Sequence, residues 1–268
     1  MADRYRFTIL GCGSSPGVPR IGGDWGACDP ANPKNRRLRC SLLAQRVGQN
    51  GATNVLIDTS PDLRQQALAA GIGSLDGVLF THPHADHIHG IDDLRGFVMN
   101  MRRRVDLFAD EATMARLWEA FRYCFETPPG SEYPPLANAH AIAAGAPVKI
   151  VGQGGPLTAL PISQIHGRIR SLAFRIGGLA YSPDVSDFDD EAEFRLRDLD
   201  VWIVDALRPT PHPSHLSVSQ ALDWIARFRP KRAILTHMHV DLDYETLRRE
   251  LPPNVEPAYD GMTIEMDA

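Results

Sequence analysis

Thr81-His82-Pro83-His84-Ala85-Asp86-His87 directly follows the apolar run Val78-Leu79-Phe80. Three imidazoles and a carboxylate packed into six residues are costly to bury, because polar groups stripped of water need compensation. A metal ion supplies it. In an extended segment leaving a strand, His82 and His84 point to the same side and can grip one ion. Asp86 and His87, past the bend, can face a second. His89, two residues on, reads as a neighbour and not a ligand. The bland alternative is a solvated polar loop with incidental histidines, and the density of donor atoms argues against it.

On either side of this segment, apolar or alternating stretches bounded by turn residues predict strands. They are Tyr5–Leu10, Ser41–Val47, Asn54–Asp58, Gly77–Thr81, Val105–Ala109, Val148–Val151, Leu157–Ile165, Leu172–Ile176, Val201–Asp205, Ala233–Thr236 and Met262–Met266. Helical patterns intervene at Pro61–Ala70, Glu111–Phe125, Asp189–Leu196, Val218–Phe228 and Tyr244–Leu251, and Ser217 with Gln220 has capping-box spacing before the fourth. Mixed elements over the whole length predict an α/β layered architecture. No Gly/Ser linker or charge run divides the chain, so residues 1–268 read as one domain. Glu126–Ala146, rich in Pro, Gly and Ala, reads as a lid or substrate-facing loop. Gly177-Gly178 reads as a hairpin turn.

The 268 residues are 43% hydrophobic and 23% charged, which excludes disordered, collagenous and coiled-coil classes. A net charge of −5 argues against an extended nucleic-acid footprint. All but three of the 28 basic residues are arginine, which suits local oxyanion binding. No apolar run approaches the ~20 residues of a membrane span, and Met1-Ala2-Asp3-Arg4 lacks a leader's apolar stretch, so the expectation is a cytoplasmic protein off the membrane. Cys12, Cys28, Cys40 and Cys124 are sparse and irregular, which predicts reduced thiols or one metal site over a disulfide framework.

The order His-x-His-x-Asp-His after a strand resembles the metallo-β-lactamase superfamily. The resemblance implies a four-layer αββα sandwich: two β-sheets face to face, helices on both outer sides, and the site at one edge. It also assigns roles. His82, His84 and His166 would take one divalent ion, Asp86, His87 and His237 a second, and Asp184 would bridge them. His140 is a rival to His166, and a plain turn Asp is the alternative for Asp184. Asp58, after Val55-Leu56-Ile57, would orient the histidine loop, a turn or helix-capping role being the alternative. Two such ions, ~3.5–4 Å apart, hold a bridging water whose pKa falls toward ~7. Zn²⁺, Mn²⁺ and Fe²⁺ all suit the donor set.

Members of this superfamily act on β-lactams, thioesters and phosphodiesters or reduce oxygen, so flanking residues must discriminate. The opening Leu10-Gly11-Cys12-Gly13-Ser14-Ser15-Pro16-Gly17 resembles the phosphodiesterase branch, which includes tRNase Z and the phosphoribosyl 1,2-cyclic phosphate phosphodiesterase. Such a turn can form an anion concavity, with Ser14 and Ser15 as substrate contacts, or simply be a tight turn. In that branch a histidine ahead of a helix contacts the scissile phosphate or protonates the leaving oxygen, and His215 in Pro211-His212-Pro213-Ser214-His215 fits better than His212, a plain helix-flanking histidine being the alternative. Asp86 and His215 are therefore the catalytic candidates. Cys28 stands alone where the cyclic-phosphate enzyme has a cysteine-rich zinc loop; Cys28, Cys40 and His239 could form a remnant, or be incidental. No arm-like insertion of the tRNase Z kind is evident. The implied activity is hydrolysis of a small cyclic or nucleotide-like phosphate ester by a hydroxide bridging two metals, with homodimers common among relatives. A thioester or acyl hydrolase on the same metals, or a noncatalytic nucleotide-binding relative, is the alternative. Arg36-Arg37-Leu38-Arg39 and Arg102-Arg103-Arg104 read first as solvated surface and second as collectors of another phosphate, and Tyr123, Phe125 and Tyr133 as base-stacking or core residues.

Overall fold

The computed structural model describes residues 3–268. Met1 and Ala2, half of the segment read for a leader, lie outside the described residues. Fourteen strands form two seven-stranded sheets. The first contains β1 (Arg4–Gly11), β2 (Ser41–Gly48), β3 (Gly51–Ile57), β4 (Gly77–Leu79), β5 (Val105–Ala109) and β6 (Ala137–Ala141) in sequence order, with the C-terminal strand β14 (Thr263–Asp267) beside β1. The second contains β7 (Val148–Gly152), β8 (Gly155–His166), β9 (Ile169–Ile176), β10 (Leu179–Ser182), β11 (Val201–Asp205), β12 (Arg232–Thr236) and β13 (Val255–Pro257), also in sequence order. Each sheet begins antiparallel and becomes parallel, at β3–β4 in the first and β10–β11 in the second.

Alternation decides which face each residue serves. In β2 and β3, Leu42, Ala44, Val55 and Ile57 face the second sheet, while Leu43 and Leu56 join the cluster under the outer helices. Those helices are α1 (Leu63–Ala70), the short α2 (Ala85–Ile88), α3 (Leu94–Met101) and α4 (Glu111–Phe121). Leu63, Leu94, Phe97 and Leu117 fill that layer. The second sheet is covered by α5 (Asp190–Arg195), α6 (Val218–Phe228) and α7 (Tyr244–Glu250). β11, Val-Trp-Ile-Val-Asp, is buried at every position because it lies between two parallel neighbours with both faces covered. Trp202 projects from it among Phe188 and Phe228, at 5.6 and 5.1 Å between ring centroids. The Ser217–Gln220 capping box forms, starting α6 where the spacing predicts. The αββα sandwich expected from the resemblance is the architecture observed.

Three elements depart from the sequence reading. Glu126–Ala146 is not loop throughout, because Ala137–Ala141 pairs in parallel with β5 as an edge strand. Its solvent-facing residues carry no apolar alternation to announce it. Leu94–Met101 is helical despite Gly96, and the three-residue β13 ends in Pro257. The hairpin at Gly177-Gly178 forms, with Gly177 at φ 58°. Among the described residues no helix is long and apolar enough to cross a membrane.

Candidate metal centre

Parallel strands point their carboxyl ends to one edge, where side chains from separate strands can meet. Here β3 leads to Asp58, β4 to Thr81 and the histidine loop, β8 ends at His166, β10 leads to Asp184, β11 ends at Asp205 and β12 leads to His237. Asp58 and His237 leave their strands in the left-handed region, at φ 65° and 57°. The backbone closes tightly behind the histidine loop: a Cβ on Gly90 would lie 2.0 Å from the Ser60 carbonyl oxygen.

All seven sequence-predicted ligands converge. His82, His84, His166 and Asp184 form one group of donors, and Asp86, His87 and His237 another, with the donor atoms of each group within 4.8 Å of one another. Asp184 sits between them. Its Oδ1 lies 3.8 Å from Nε2 of both His82 and His166 and 3.4 Å from Nε2 of His237, while Oδ2 lies 3.0 Å from Nε2 of His87. Asp86 Oδ2 lies 3.5 and 3.6 Å from Nε2 of His87 and His237. Each group draws donors from both sheets.

The surrounding hydrogen bonds aim lone pairs inward. Asp58, fully buried, accepts from the Thr81 amide (2.8 Å), the Thr81 hydroxyl (2.8 Å) and His87 Nδ1 (2.7 Å). Because the Thr81 hydroxyl donates to Asp58, it accepts from His82 Nδ1 at 2.9 Å. His166 Nδ1 donates to the Ser214 carbonyl at 2.6 Å. These assignments fix one proton on Nδ1 of each ring, so that each ring in its neutral form presents a bare Nε2 inward. Nε2 of His82 and of His237 are buried without a hydrogen-bond partner, a state that is expensive unless a cation meets them. The donor set and these orphaned atoms fit divalent metal.

Protonation follows the same logic. Burial holds His82 well below the usual imidazole range, lowers His84, and lowers His166 to about 4, so these rings are neutral near pH 7. Burial alone would lower His87 too, but Asp184, Asp86 and Asp58 outweigh it and hold its proton firmly. Asp86 and Asp184 stay ionised: burial opposes this, but the facing imidazoles overcome it. A proton held by three carboxylates marks a place where a metal cation would compete with it.

His215 stands at the rim, its Nδ1 2.8 Å from Asp205 Oδ2 and 3.8 Å from Asp184 Oδ1. Burial works against its charged form, yet Asp205 and Asp184 raise it to about 9. Asp205, the partner of His215, is a candidate that the sequence reading passed over. Its signal was a lone carboxylate closing an apolar strand ten residues before a histidine. His212 stacks near His215, at 5.1 Å between ring centroids, with its Nδ1 engaged by Ser214. Ser14 is buried with its hydroxyl unpartnered, whereas Ser15 is exposed and lines a cavity that reaches Asp86.

Several other expectations resolve. Gly11 and Gly13 are explained by close approach to the Arg37–Arg39 backbone, since a Cβ would meet the Arg39 oxygen at 2.1 Å or the Arg37 oxygen at 3.0 Å. His140 lies exposed on β6, bonded to Asp106, away from the ligand groups. His89 packs on the Phe121 ring. Among the described residues no candidate ligand group contains a cysteine. The buried guanidinium of Arg37 occupies the Cys28 surroundings instead, 3.8 Å from its sulfur and 2.7 Å from the Leu242 carbonyl, which corrects its reading as solvated surface. Phe125 is core, stacked on Trp118. Arg103 pairs with Asp76.

Residues 53–238 match the beta-lactamase superfamily domain. The octanoyltransferase of Porphyromonas gingivalis is 34% identical over 267 residues, 98% of this chain and 52% of that protein, so the chain spans about half the length of that relative. A crystal structure described as a new diphosphatase from the PhnP family is 36% identical, with a TM-score of 0.88 over 99% of this chain and 98% of that one. Human tRNase Z, short form, shares the fold at 15% identity and a TM-score of 0.62, over 97% of this chain and 98% of that one.

Proposed function

The chain belongs to the metallo-β-lactamase superfamily, its neighbours there include metal-dependent hydrolases, and on that footing we propose that it is a dinuclear phosphodiesterase acting on a small phosphate ester. The observation that carries the reading is the pair of donor groups sharing Asp184, with buried lone pairs that have no protein partner. In this reading His82, His84 and His166 would hold one ion and Asp86, His87 and His237 the other, with Asp184 available to either group. Zn²⁺ and Mn²⁺ fit the mixed nitrogen and carboxylate donors, as does Fe²⁺. Two such ions would supply Lewis acidity toward phosphoryl oxygens and hydroxide at neutral pH.

The chain's own residues do the rest. Asp58 fixes His87 directly and His82 through Thr81, so both rings present Nε2 inward. Asp205 holds His215 through Nδ1, leaving Nε2 to deliver a proton to the departing alkoxide. The Asp205 carboxylate against Nδ1 favours the charged form of His215, the form that carries this proton. The likeness to the PhnP-family diphosphatase supports phosphorus over carbon as the centre attacked. The acyl alternative rests on the likeness to the octanoyltransferase, of which the chain matches half.

The test is turnover of bis(p-nitrophenyl) phosphate beside a thioester by metal-loaded protein. Hydrolysis of the diester, depressed in His215→Ala at full metal content, is the expected result. Thioester turnover alone would overturn the phosphodiesterase reading, and an unchanged His215→Ala would remove that residue from the chemistry.

A further inference from the structure

A cavity of about 480 Å³ opens beside Asp86, lined by Ser15, Arg20, Ile21, Arg39 and Pro61 among others. Its volume is in the range of small-molecule sites. Two of these residues are out of balance with their surroundings. Ile21 is wholly exposed at the tip of a turn whose base is tied by the Arg20–Asp24 backbone hydrogen bond. Gly22 and Gly23, at φ 93° and 82°, follow it with nothing within 4 Å of where side chains would begin. A single exposed isoleucine means little alone, but this one stands at a cavity mouth beside two guanidinium groups.

The two arginines differ. Arg20 is already engaged, by Asp24 and by His239, which Asp241 holds in turn at 2.7 Å. Arg39 is anchored only through Nε, 3.0 Å from Asp62, and its terminal nitrogens have no partner among the described residues. Gly17 borders that end, a Cβ there lying at ordinary contact distance, 3.8 Å, from Nη1.

We infer that this cavity receives the non-reacting group of the substrate, with Ile21 covering an apolar face and the free end of Arg39 pairing with a second negative charge. The chemistry so selected is a nucleotide-type ester: an apolar ring and an anion on the same group, carried beside the scissile phosphate. The inference rests on the phosphodiesterase reading for its kinetic test and is independent of it for its binding test.

The kinetic test compares three esters of one leaving group: methyl p-nitrophenyl phosphate, thymidine 5′-(p-nitrophenyl phosphate) and its 3′-phosphorylated form. In the native enzyme kcat/KM should rise along that series. Ile21→Gly should cut the preference for the thymidyl over the methyl ester about tenfold, the scale of one buried aliphatic contact. Arg39→Gln should cut the preference for the 3′-phosphate about tenfold or more, and Arg39→Lys should restore part of it. Both losses should fall on KM more than on kcat. Equal kcat/KM for all three esters, or variants that depress every ester alike, would overturn the inference. If no ester turns over, the phosphodiesterase reading fails and calorimetry with thymidine 3′,5′-bisphosphate still decides. Tighter binding to the native protein than to folded Ile21→Gly and Arg39→Gln supports the cavity, and equal binding refutes it.

Discussion

Asp58→Asn isolates what the buried carboxylate does for the metal centre. Asp58→Ala would strand three donors in a site with no solvent, at about 1–3 kcal/mol each, enough to threaten folding. Asparagine keeps the shape. Its carbonyl can still accept from the Thr81 amide, but an amide nitrogen then replaces the oxygen 2.7 Å from His87 Nδ1. Two N–H groups cannot face each other there, so His87 must give up its Nδ1 proton and carry it on Nε2, the atom 3.0 Å from Asp184. The ring remains in place but its inward lone pair is lost. Altering such an orienting partner typically lowers metal affinity about 10–100-fold, or about 1.4–2.8 kcal/mol. Chelator competition measures the affinity, long-range ¹H–¹⁵N correlation of the imidazoles reads the tautomer, and a urea melt checks that the variant folds. A folded Asp58→Asn with native affinity and an unchanged His87 tautomer would refute the reasoning.

Turnover should fall as pH rises past the point where His215 loses its proton, and Asp205→Asn should move that limb toward the ordinary histidine value; matched pH–rate profiles check both. In metal-free protein the same group links stability to pH. Its folded pKa of about 9 exceeds the ordinary 6.5, so its contribution is complete below about 6.5 and lost by about 9. Urea melts across that window should show a loss of stability about 3 kcal/mol larger in the native protein than in His215→Gln, in which the proton held by His87 still contributes its own part. Trp202→Ala should cost about 3–5 kcal/mol in a urea melt, because it empties the ring cluster under α6 and strands the Ser182 hydroxyl that accepts from its indole at 3.1 Å. His140→Ala should leave metal stoichiometry unchanged by atomic absorption, since its partner is Asp106 on the neighbouring strand.

The seven donors were readable because each closes or follows an apolar run, and ligand chemistry restricts which residue types can occupy such places. Asp205 escaped because its meaning depends on β11 and β12 standing in parallel register, which sets it beside His215 and His237. The basic cluster Arg36-Arg37-Leu38-Arg39 was read as a whole, as solvated surface or as a phosphate collector, and only tertiary packing separates its members by burying Arg37 while Arg39 lines the cavity beside Asp86. The fold was legible wherever strands bury at least one face. It was illegible at β6, which buries almost nothing, and at α3, where Gly96 and an Asp93 cap without a side-chain hydrogen bond blur the helical signal.

Because every ion would be gripped by donors from both sheets, neither half of the chain holds a complete set of ligands. The metal pair would act as a clasp across the sandwich, resisting any breathing motion that parts its leaves. Cutting the polypeptide between β6 and β7 would yield two fragments whose reunion the metal itself would reward, so cation supply would set how firmly the halves stay married.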